Sequence, residues 1–299
     1  MEIAFEPLPV AEADAAHVLA MRAAEGPNGI ADWQTALNFL QRSAELGSTL
    51  AQAELSALAG DWLSSREILD GRSRPDSDWA KLRRSVDIGR WLEPSRRLIM
   101  SASPRIAAIE GFASAELCDW LIARARPKLA PAQVYDHDTG GPRSESVRTN
   151  SECHFPRDRS DLLLLTLRAR MATASELPVH AMEAPAVLHY TPGQEFLPHY
   201  DFLDTNLPGP AKEVARAGQR VLTFLVVLND DYAGGETDFP ELGKRWKGRK
   251  GSALFFWNVQ PDGKVDRGTL HAGLPPTSGE KWLLSQWVRV PALKSGMQF

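Results

Sequence analysis

The sequence predicts an α+β fold, with helices first and a β-sandwich or β-barrel after them. The first hundred residues carry apolar side chains at helical spacing, whereas the chain after Pro178 breaks into short apolar runs separated by Gly, Pro and Asp. The 299 residues are 43% hydrophobic and 24% charged, which is ordinary for a globular protein and sufficient for a sizeable core.

The N-terminal part is predicted to form three helices. The first covers residues 11–25, the second follows the N-cap residue Asp32 and ends at Gly47, and the third covers about 50–58. The second and third helices contain closely spaced alanines (SAELG, then AQAEL) and resemble a Sel1-like, tetratricopeptide-related repeat. A generic helical cap on the following domain is the alternative. Because one repeat cannot bury its own apolar face, either structure must pack on another part of the chain.

Residues 70–104 are predicted to be a polar linker with one short helix at about 79–91. The linker carries a basic cluster, which is either a solvated helix face or a docking surface for an acidic partner: Lys81, Arg83, Arg84, Arg90, Arg96 and Arg97. We place the domain boundary near the end of this linker. The prediction is a helical region with its linker at 1–100 and a second domain at 101–299.

The second domain is predicted to combine a few helices with many short strands. It begins with a strand at 106–109 and a helix capped by Ser114, and a leucine-rich helix covers about 161–175. Later strands are predicted at 186–190, 221–228, 253–257 and 282–290. Helices followed by strands with turn signals fit a jelly-roll core buttressed by helices.

Composition argues against several classes of protein. The net charge of −4, with both signs mixed along the chain, disfavours a nucleic-acid binder. Cys118 and Cys153 are predicted to be buried free thiols, with a single structural bridge as the alternative. No apolar run has the length of a membrane span, and the N-terminus lacks the basic-then-apolar order of a secretory signal. We therefore expect a cytoplasmic location and no membrane partner.

A candidate metal site is formed by His199, Asp201 and His271. Residues two apart in a strand point to the same face, so the first two side chains can converge on one ion. His271 follows an aromatic strand and is the leading candidate for the third ligand. Two histidines and one carboxylate leave coordination positions open, which suits non-haem Fe(II).

Several ordered segments around these ligands resemble the prolyl 4-hydroxylase family. They are 109–112 (IEGF), 147–150 (VRTN), 190–202 (YTPGQEFLPHYDF), 219–230 (QRVLTFLVVLND), 234–240 (GGETDFP), 250–256 (KGSALFF), 270–273 (LHAG) and 279–282 (GEKW). The resemblance covers about 105–290. It implies a double-stranded β-helix of the jelly-roll or cupin-like kind, and catalytic metal binding by His199, Asp201 and His271. It also implies Fe(II), 2-oxoglutarate and dioxygen as cofactors and co-substrates, with ascorbate as an optional addition.

The resemblance also implies roles for residues around the metal. Lys281 is expected to hold the distal carboxylate of 2-oxoglutarate, because a buried ammonium is costly without an anionic partner. Tyr190, Thr223 and Trp287 are further candidates for binding the co-substrate, each with ordinary core packing as the alternative.

Substrate contacts are predicted for three residues, Arg220, Trp257 and Arg148. The first two are expected to border the mouth of the site, and Arg148 is expected in a mobile loop that covers it. Residues 138–146, with Gly140–Gly141, are predicted to belong to this lid, and an ordinary surface loop is the alternative.

Four other histidines are not predicted to bind the metal. His154, His180 and His189 are interpreted as structural, and His189 should point to the strand face opposite Tyr190. His137 lies in the predicted lid and lacks the flanking motif.

The resemblance implies hydroxylation of a prolyl residue in a protein or peptide, coupled to conversion of 2-oxoglutarate to succinate. Hydroxylation of a free amino acid or another small molecule is the first alternative. A non-catalytic binding protein built on the helical repeat is the second, and a structural zinc protein, which would need clustered cysteines, is the third. The sequence leaves the oligomeric state open.

Overall fold

Helices dominate the first part of the chain and antiparallel strands the second. The computed structural model describes residues 9–26, 30–72, 77–135, 142–143, 147–156 and 159–291. The helices are α1 Pro9–Glu25, α2 Trp33–Glu45, α3 Thr49–Leu58, α4 Trp62–Leu69, α5 Trp79–Ser85, α6 Ile88–Leu92, α7 Ala115–Ala125, α8 Leu162–Ser175 and α9 Pro208–Ala217. In the described part of the chain, none of them combines the length and apolar character that a membrane crossing requires.

The strands are mostly short. They are β1 Arg97–Ala102, β2 Arg105–Ile109, β3 Ala130–Pro131, β4 Val134–Tyr135, β5 Pro142–Arg143, β6 Ser151–His154, β7 Ala186–Tyr190, β8 Phe196–His199, β9 Gln219–Val227, β10 Ala233–Gly234, β11 Thr237–Phe239, β12 Lys244–Trp246, β13 Ala253–Trp257, β14 His271–Gly273, β15 Pro276–Ser278 and β16 Lys281–Val290.

Side-chain caps fix where several helices begin. The predicted caps are confirmed: Asp32 accepts a hydrogen bond from Thr35 N (2.9 Å) and Ser114 accepts one from Leu117 N (3.1 Å). The single helix predicted at 79–91 is wrong. It divides into α5 and α6 because Val86 adopts an extended conformation, and Asp87 then caps a new helix. Strand β1 also lies within the segment that was predicted to be linker.

The first compact unit consists of the described residues up to Glu93 together with 159–180. Helix α8 belongs to this unit, whereas the sequence placed it in the second domain. The difference has a physical cause, since α8 is buried on most sides and its first turn is fixed by an N-terminal helix. The buried Glu54 carboxylate accepts a hydrogen bond from Leu162 N (2.8 Å) and also contacts His17 Nε2 (2.7 Å). The resemblance of these helices to a Sel1-like repeat stays a prediction.

The second unit, formed by the described residues of 94–158 and 181–291, contains two main sheets. One has the strand order β1-β2-β13-β9-β16-β7-β6-β3, and the other has the order β12-β11-β14-β8. The chain alternates between them: β7, β9, β13 and β16 lie in the larger sheet, while β8, β11, β12 and β14 lie in the smaller one. This alternation of antiparallel strands between two sheets is a jelly roll, so the predicted α+β fold is confirmed.

The second unit has an apolar core built from alternating strand residues. One cluster contains Ile106, Leu225, Phe239, Leu254 and Phe256, all nearly inaccessible to solvent. Helix α7 packs on the larger sheet, where Cys118 Sγ lies 3.7 Å from Val227 O. Both cysteines are buried and free, which confirms that prediction.

Helix α9 was not predicted, because it is polar and half-exposed and lacks a buried apolar stripe. It ends at Gly218, whose φ of +83° favours glycine. A Cβ there would lie 2.4 Å from the Val290 carbonyl oxygen.

Candidate active site

Two strands of the smaller sheet bring the predicted metal ligands together. His199 ends β8 and lies directly opposite His271, which begins β14. Asp201 follows two residues after His199. One ligand atom from each of the three side chains lies within 4.8 Å of the other two. Cross-strand neighbours share a face of the sheet, so the fold places both imidazoles beside the same carboxylate.

Backbone carbonyls select the tautomer of both imidazoles. His199 Nδ1 lies 2.8 Å from Leu197 O, and His271 Nδ1 lies 3.0 Å from Thr269 O. A carbonyl oxygen only accepts, so each Nδ1 carries the hydrogen and each Nε2 keeps its lone pair. These Nε2 atoms lie 3.7 Å and 3.5 Å from the Asp201 carboxylate oxygens. The free lone pairs therefore face the point where a cation would be held.

The electrostatics of the cluster favour cation binding. Burial raises the pKa of Asp201, but His271, His199 and a hydrogen bond from Thr223 outweigh it, and the pKa lies below its usual range. Burial, and then the neighbouring His271, lower the pKa of His199. A carboxylate beside a neutral imidazole is the form in which these groups bind a metal. The donor set fits Fe(II), since it offers two imidazole nitrogens and one carboxylate on one side of the ion.

A pocket of about 430 Å³, including its open mouth, adjoins the three ligands. It is lined by Arg148, Leu188, Tyr190, Phe196, His199, Asp201, Leu225, Thr237, His271, Ala272, Gly273, Lys281, Leu283, Ser285 and Trp287. Eight of the fifteen lining residues have a polar or charged side chain, and the other seven are apolar residues or glycine.

Lys281 and Arg148 are both buried cations of the pocket, and Lys281 is the more deeply buried of the two. It is 1% exposed, and its Nζ has no hydrogen-bond partner among the described residues. The Nζ lies 4.8 Å from the centre of the Tyr190 ring. Burial lowers the pKa of Lys281 to about 7. An unpaired buried ammonium is unfavourable until an anion enters, so the pocket fits a ligand carboxylate at this end.

Two of the other predicted co-substrate residues, Tyr190 and Trp287, line the pocket, and Tyr190 is 2% exposed. Thr223 does not line it. The Thr223 hydroxyl donates to Asp201 Oδ2 over 2.7 Å, and this is the carboxylate oxygen that lies 3.5 Å from His271 Nε2. The structure therefore gives Thr223 a different environment from the one predicted.

Two of the three residues predicted to contact the substrate, Arg220 and Trp257, lie outside the lining of the pocket. Arg220 donates two hydrogen bonds to Glu183 (2.6 and 3.0 Å) and lies 3.6 Å from the centre of the Trp287 ring. Trp257 packs under the Arg105 guanidinium, and the Arg105 Cζ lies 4.3 Å from the centre of the Trp257 ring. Neither Arg220 nor Trp257 lines the pocket.

Arg148 lines the pocket, but it is 7% exposed and does not occupy a mobile loop as predicted. It forms a β-bridge with Phe196 and donates to Glu152 Oε2 (2.5 Å) and to Gln133 O (3.0 Å). These bonds fix it at the wall of the pocket. Of the predicted lid at 138–146, only Pro142–Arg143 lies within the described residues, where it forms β5, and His137 lies outside them as well.

Two polar residues of the pocket were missed, Thr237 and Ser285. Both are buried, at 4% and 6% exposure. A signal existed for Ser285, because it lies four residues after Lys281 on β16 and strand alternation places both on one face. No comparable pattern marks Thr237. His189 points to the other side, as predicted, where its ring lies tilted against that of Trp282 with 4.2 Å between the ring centres.

Fold and site together define a non-haem iron oxygenase. Residues 185–289 match the family model of the 2OG-Fe(II) oxygenase superfamily, where 2OG is 2-oxoglutarate. The chain is 34% identical over 215 residues to probable prolyl 4-hydroxylase 3 of Arabidopsis thaliana, covering 66% of this chain and 73% of that protein. It is 36% identical over 208 residues to prolyl 4-hydroxylase 1 of the same plant, covering 65% and 72%.

Among solved structures, a 2OG complex of the viral collagen prolyl hydroxylase from Paramecium bursaria chlorella virus 1 is similar to this chain. It shares 30% identity with a TM-score of 0.48, and the match covers 62% of this chain and 96% of that one.

The chain belongs to the prolyl 4-hydroxylase family of 2OG-Fe(II) oxygenases. The predicted Fe(II), 2-oxoglutarate and dioxygen are confirmed as its cofactor and co-substrates.

Proposed function

We propose that the protein hydroxylates prolyl residues of a protein or peptide, with iron held by His199, Asp201 and His271. The observation that carries the proposal is the buried Lys281 ammonium in the same pocket as the three ligands. A cation placed to hold one carboxylate and a metal site with open positions suit a dicarboxylate co-substrate such as 2-oxoglutarate. The names of the similar plant proteins support a prolyl substrate.

Each residue of the site has a defined task in this proposal. The two Nε2 lone pairs and the Asp201 carboxylate bind the ion, and the Lys281 ammonium donates to the distal carboxylate of 2-oxoglutarate. Tyr190 and Trp287 confine the co-substrate, and the leucines of the wall exclude water. When bound, Fe(II) and 2-oxoglutarate use dioxygen to place one oxygen atom in a substrate C–H bond, and succinate and carbon dioxide are released.

The test is succinate formation from 2-oxoglutarate with Fe(II), ascorbate and dioxygen. A proline-rich synthetic peptide, the same peptide with alanine at each proline, and a pool of free amino acids would be compared. We expect stimulation by the proline peptide alone, together with a gain of one oxygen atom in its mass spectrum. His199→Ala should abolish turnover.

Other outcomes would contradict the proposal. Stimulation by the amino-acid pool alone would replace the peptide substrate by a small molecule. Full activity in His199→Ala would refute the metal assignment.

The cytoplasmic location and the use of ascorbate stay predictions. Binding of a protein partner by the N-terminal helices is likewise a proposal. Its first measurement would be binding of the peptide by the full chain.

A further inference from the structure

We infer that Asn258 is a positioning residue for the metal site, acting on Asp201 through Thr223. The inference rests on the proposed assignment of His199, Asp201 and His271 as ligands. Asn258 follows β13 and is fully buried, and no sequence motif drew attention to it.

Three side chains form a chain of hydrogen bonds that ends at the Asp201 carboxylate. Asn258 Nδ2 donates to Thr223 Oγ1 over 2.9 Å, and Thr223 Oγ1 lies 2.7 Å from Asp201 Oδ2. All three residues are at most 5% exposed.

The chemistry of the groups sets the direction of this chain. An amide nitrogen only donates, so it occupies an acceptor position on the hydroxyl, and the hydroxyl's single hydrogen is committed to the carboxylate. The other amide atom of Asn258, Oδ1, is buried without a partner among the residues that the structure describes. The amide of Asn258 is therefore oriented by its bond to Thr223, and this orientation leaves its Oδ1 without a hydrogen bond from the described residues.

The backbone of Asn258 reaches the third ligand as well. Its carbonyl oxygen accepts from Asp266 N (2.9 Å), and the Asp266 carbonyl accepts from Thr269 Oγ1 (2.6 Å). The Thr269 carbonyl then holds His271 Nδ1 at 3.0 Å. Asn258 thus connects two ligands that are 70 positions apart in the sequence, Asp201 and His271.

A hydrogen bond from an outer residue fixes the rotation of a metal ligand and its protonation, and loss of that bond typically weakens metal binding by about 10–100-fold. Asn258→Asp keeps the shape but replaces the donor by an acceptor. The new carboxylate would take the Thr223 hydrogen and leave Asp201 Oδ2 without it. Asn258→Ala removes the donor but creates no competing acceptor, so Thr223 can still donate to Asp201.

The experiment is titration of the metal-free full chain with Mn(II), with free Mn(II) read by electron paramagnetic resonance. We expect Asn258→Asp to weaken binding by about 10–100-fold and Asn258→Ala by no more than about threefold. A residue that only fills space would give the reverse order, because Ala leaves a cavity and Asp does not.

Substitutions of Thr223 give the matched test of this chain of hydrogen bonds. Thr223→Val should weaken Mn(II) binding as Asn258→Asp does, and Thr223→Ser, which keeps the hydroxyl, should restore wild-type affinity. The double variant Thr223→Val/Asn258→Asp should bind no more weakly than the weaker single variant, because both changes remove the same bond. If Asn258→Asp folds poorly, the Val and Ser variants decide the question.

Three results would overturn the inference. They are wild-type Mn(II) affinity in Asn258→Asp and Thr223→Val, equal affinities for the Val and Ser variants, or additive losses in the double variant. Failure of the unmodified chain to bind Mn(II) would instead refute the proposed metal site, and the inference with it.

Discussion

Replacing Lys281 by methionine should make the ligand-free protein more stable and should weaken the binding of 2-oxoglutarate. The ammonium is 1% exposed, and burial lowers the pKa of Lys281 from its ordinary value of 10.5 to about 7. A shift of this size corresponds to a penalty on the order of 5 kcal/mol for the charged form. Methionine has a similar shape without the charge, so we expect a gain of about 2 kcal/mol in the free energy of unfolding at pH 7. The melting temperature should rise by roughly 4–8 °C.

The pH dependence of this gain has a definite sign. Between pH 7 and pH 10.5 the unfolded chain binds more protons at Lys281 than the folded chain, so stability of the unmodified protein rises with pH there. The advantage of Lys281→Met should therefore be full below pH 7 and disappear towards pH 10.5. Thermal melts at several pH values would measure it.

The same substitution should weaken 2-oxoglutarate binding, because the distal carboxylate loses its cation. A loss of about 3 kcal/mol is expected for removing one partner of a buried charged pair, which is roughly a 100-fold higher Kd. The assay is the rise in melting temperature with 2-oxoglutarate on Mn(II)-loaded protein.

The matched control is Lys264→Met, which removes the same charge from a side chain that is 80% exposed, and it should leave 2-oxoglutarate binding unchanged. A Lys281→Met protein that melts lower and keeps its 2-oxoglutarate affinity within about threefold would refute the reasoning.

Three further predictions concern residues around the site and in the core. Gly235→Ala, at φ +71°, would place a Cβ 2.8 Å from the Tyr232 ring and 3.2 Å from Lys281 Cδ, and should raise the KM for 2-oxoglutarate several-fold. Gly243→Ala, at φ +58° with open space around it, should not raise the KM, and steady-state kinetics on both variants would show whether contact or backbone strain dominates. Glu183→Gln should lower the unfolding free energy by about 2–3 kcal/mol at pH 7, and an unchanged midpoint of the urea titration at that pH would contradict this. Burial raises the pKa of Glu183, but its two arginine partners outweigh burial and the pKa is lowered. The loss of stability should therefore vanish as the pH falls through the lowered pKa. Burial raises the pKa of the Cys118 thiol to about 12, so iodoacetamide should label it only after denaturation, and labelling of the native protein would show that the thiol is accessible.

The sequence was informative wherever a residue's role depends on local spacing. A spacing of two residues paired His199 with Asp201, although Asp201 lies beyond the end of β8, and alternation in β7 placed His189 opposite Tyr190. Capping rules located the starts of α2 and α7. Its position after an aromatic strand made His271 the leading candidate for the third ligand, and the family motifs added Lys281.

Other features depend on contacts between distant segments and left no local signal. Helix α8 follows a strand of the second unit along the chain, yet its partner is Glu54 in the N-terminal helices. Thr223 resembled a pocket residue because its strand lines the pocket, but its hydroxyl donates to Asp201 Oδ2. Asn258 appeared unremarkable because its importance depends on Thr223, which lies 35 residues earlier.

A crystal structure of the protein with Mn(II) and 2-oxoglutarate, using the anomalous signal of the metal, tests the central claim most directly. We predict one ion bound by His199 Nε2, the Asp201 carboxylate and His271 Nε2, with the distal carboxylate of 2-oxoglutarate on Lys281 Nζ. An ion bound elsewhere, or a co-substrate whose distal carboxylate lies away from Lys281, would contradict the account.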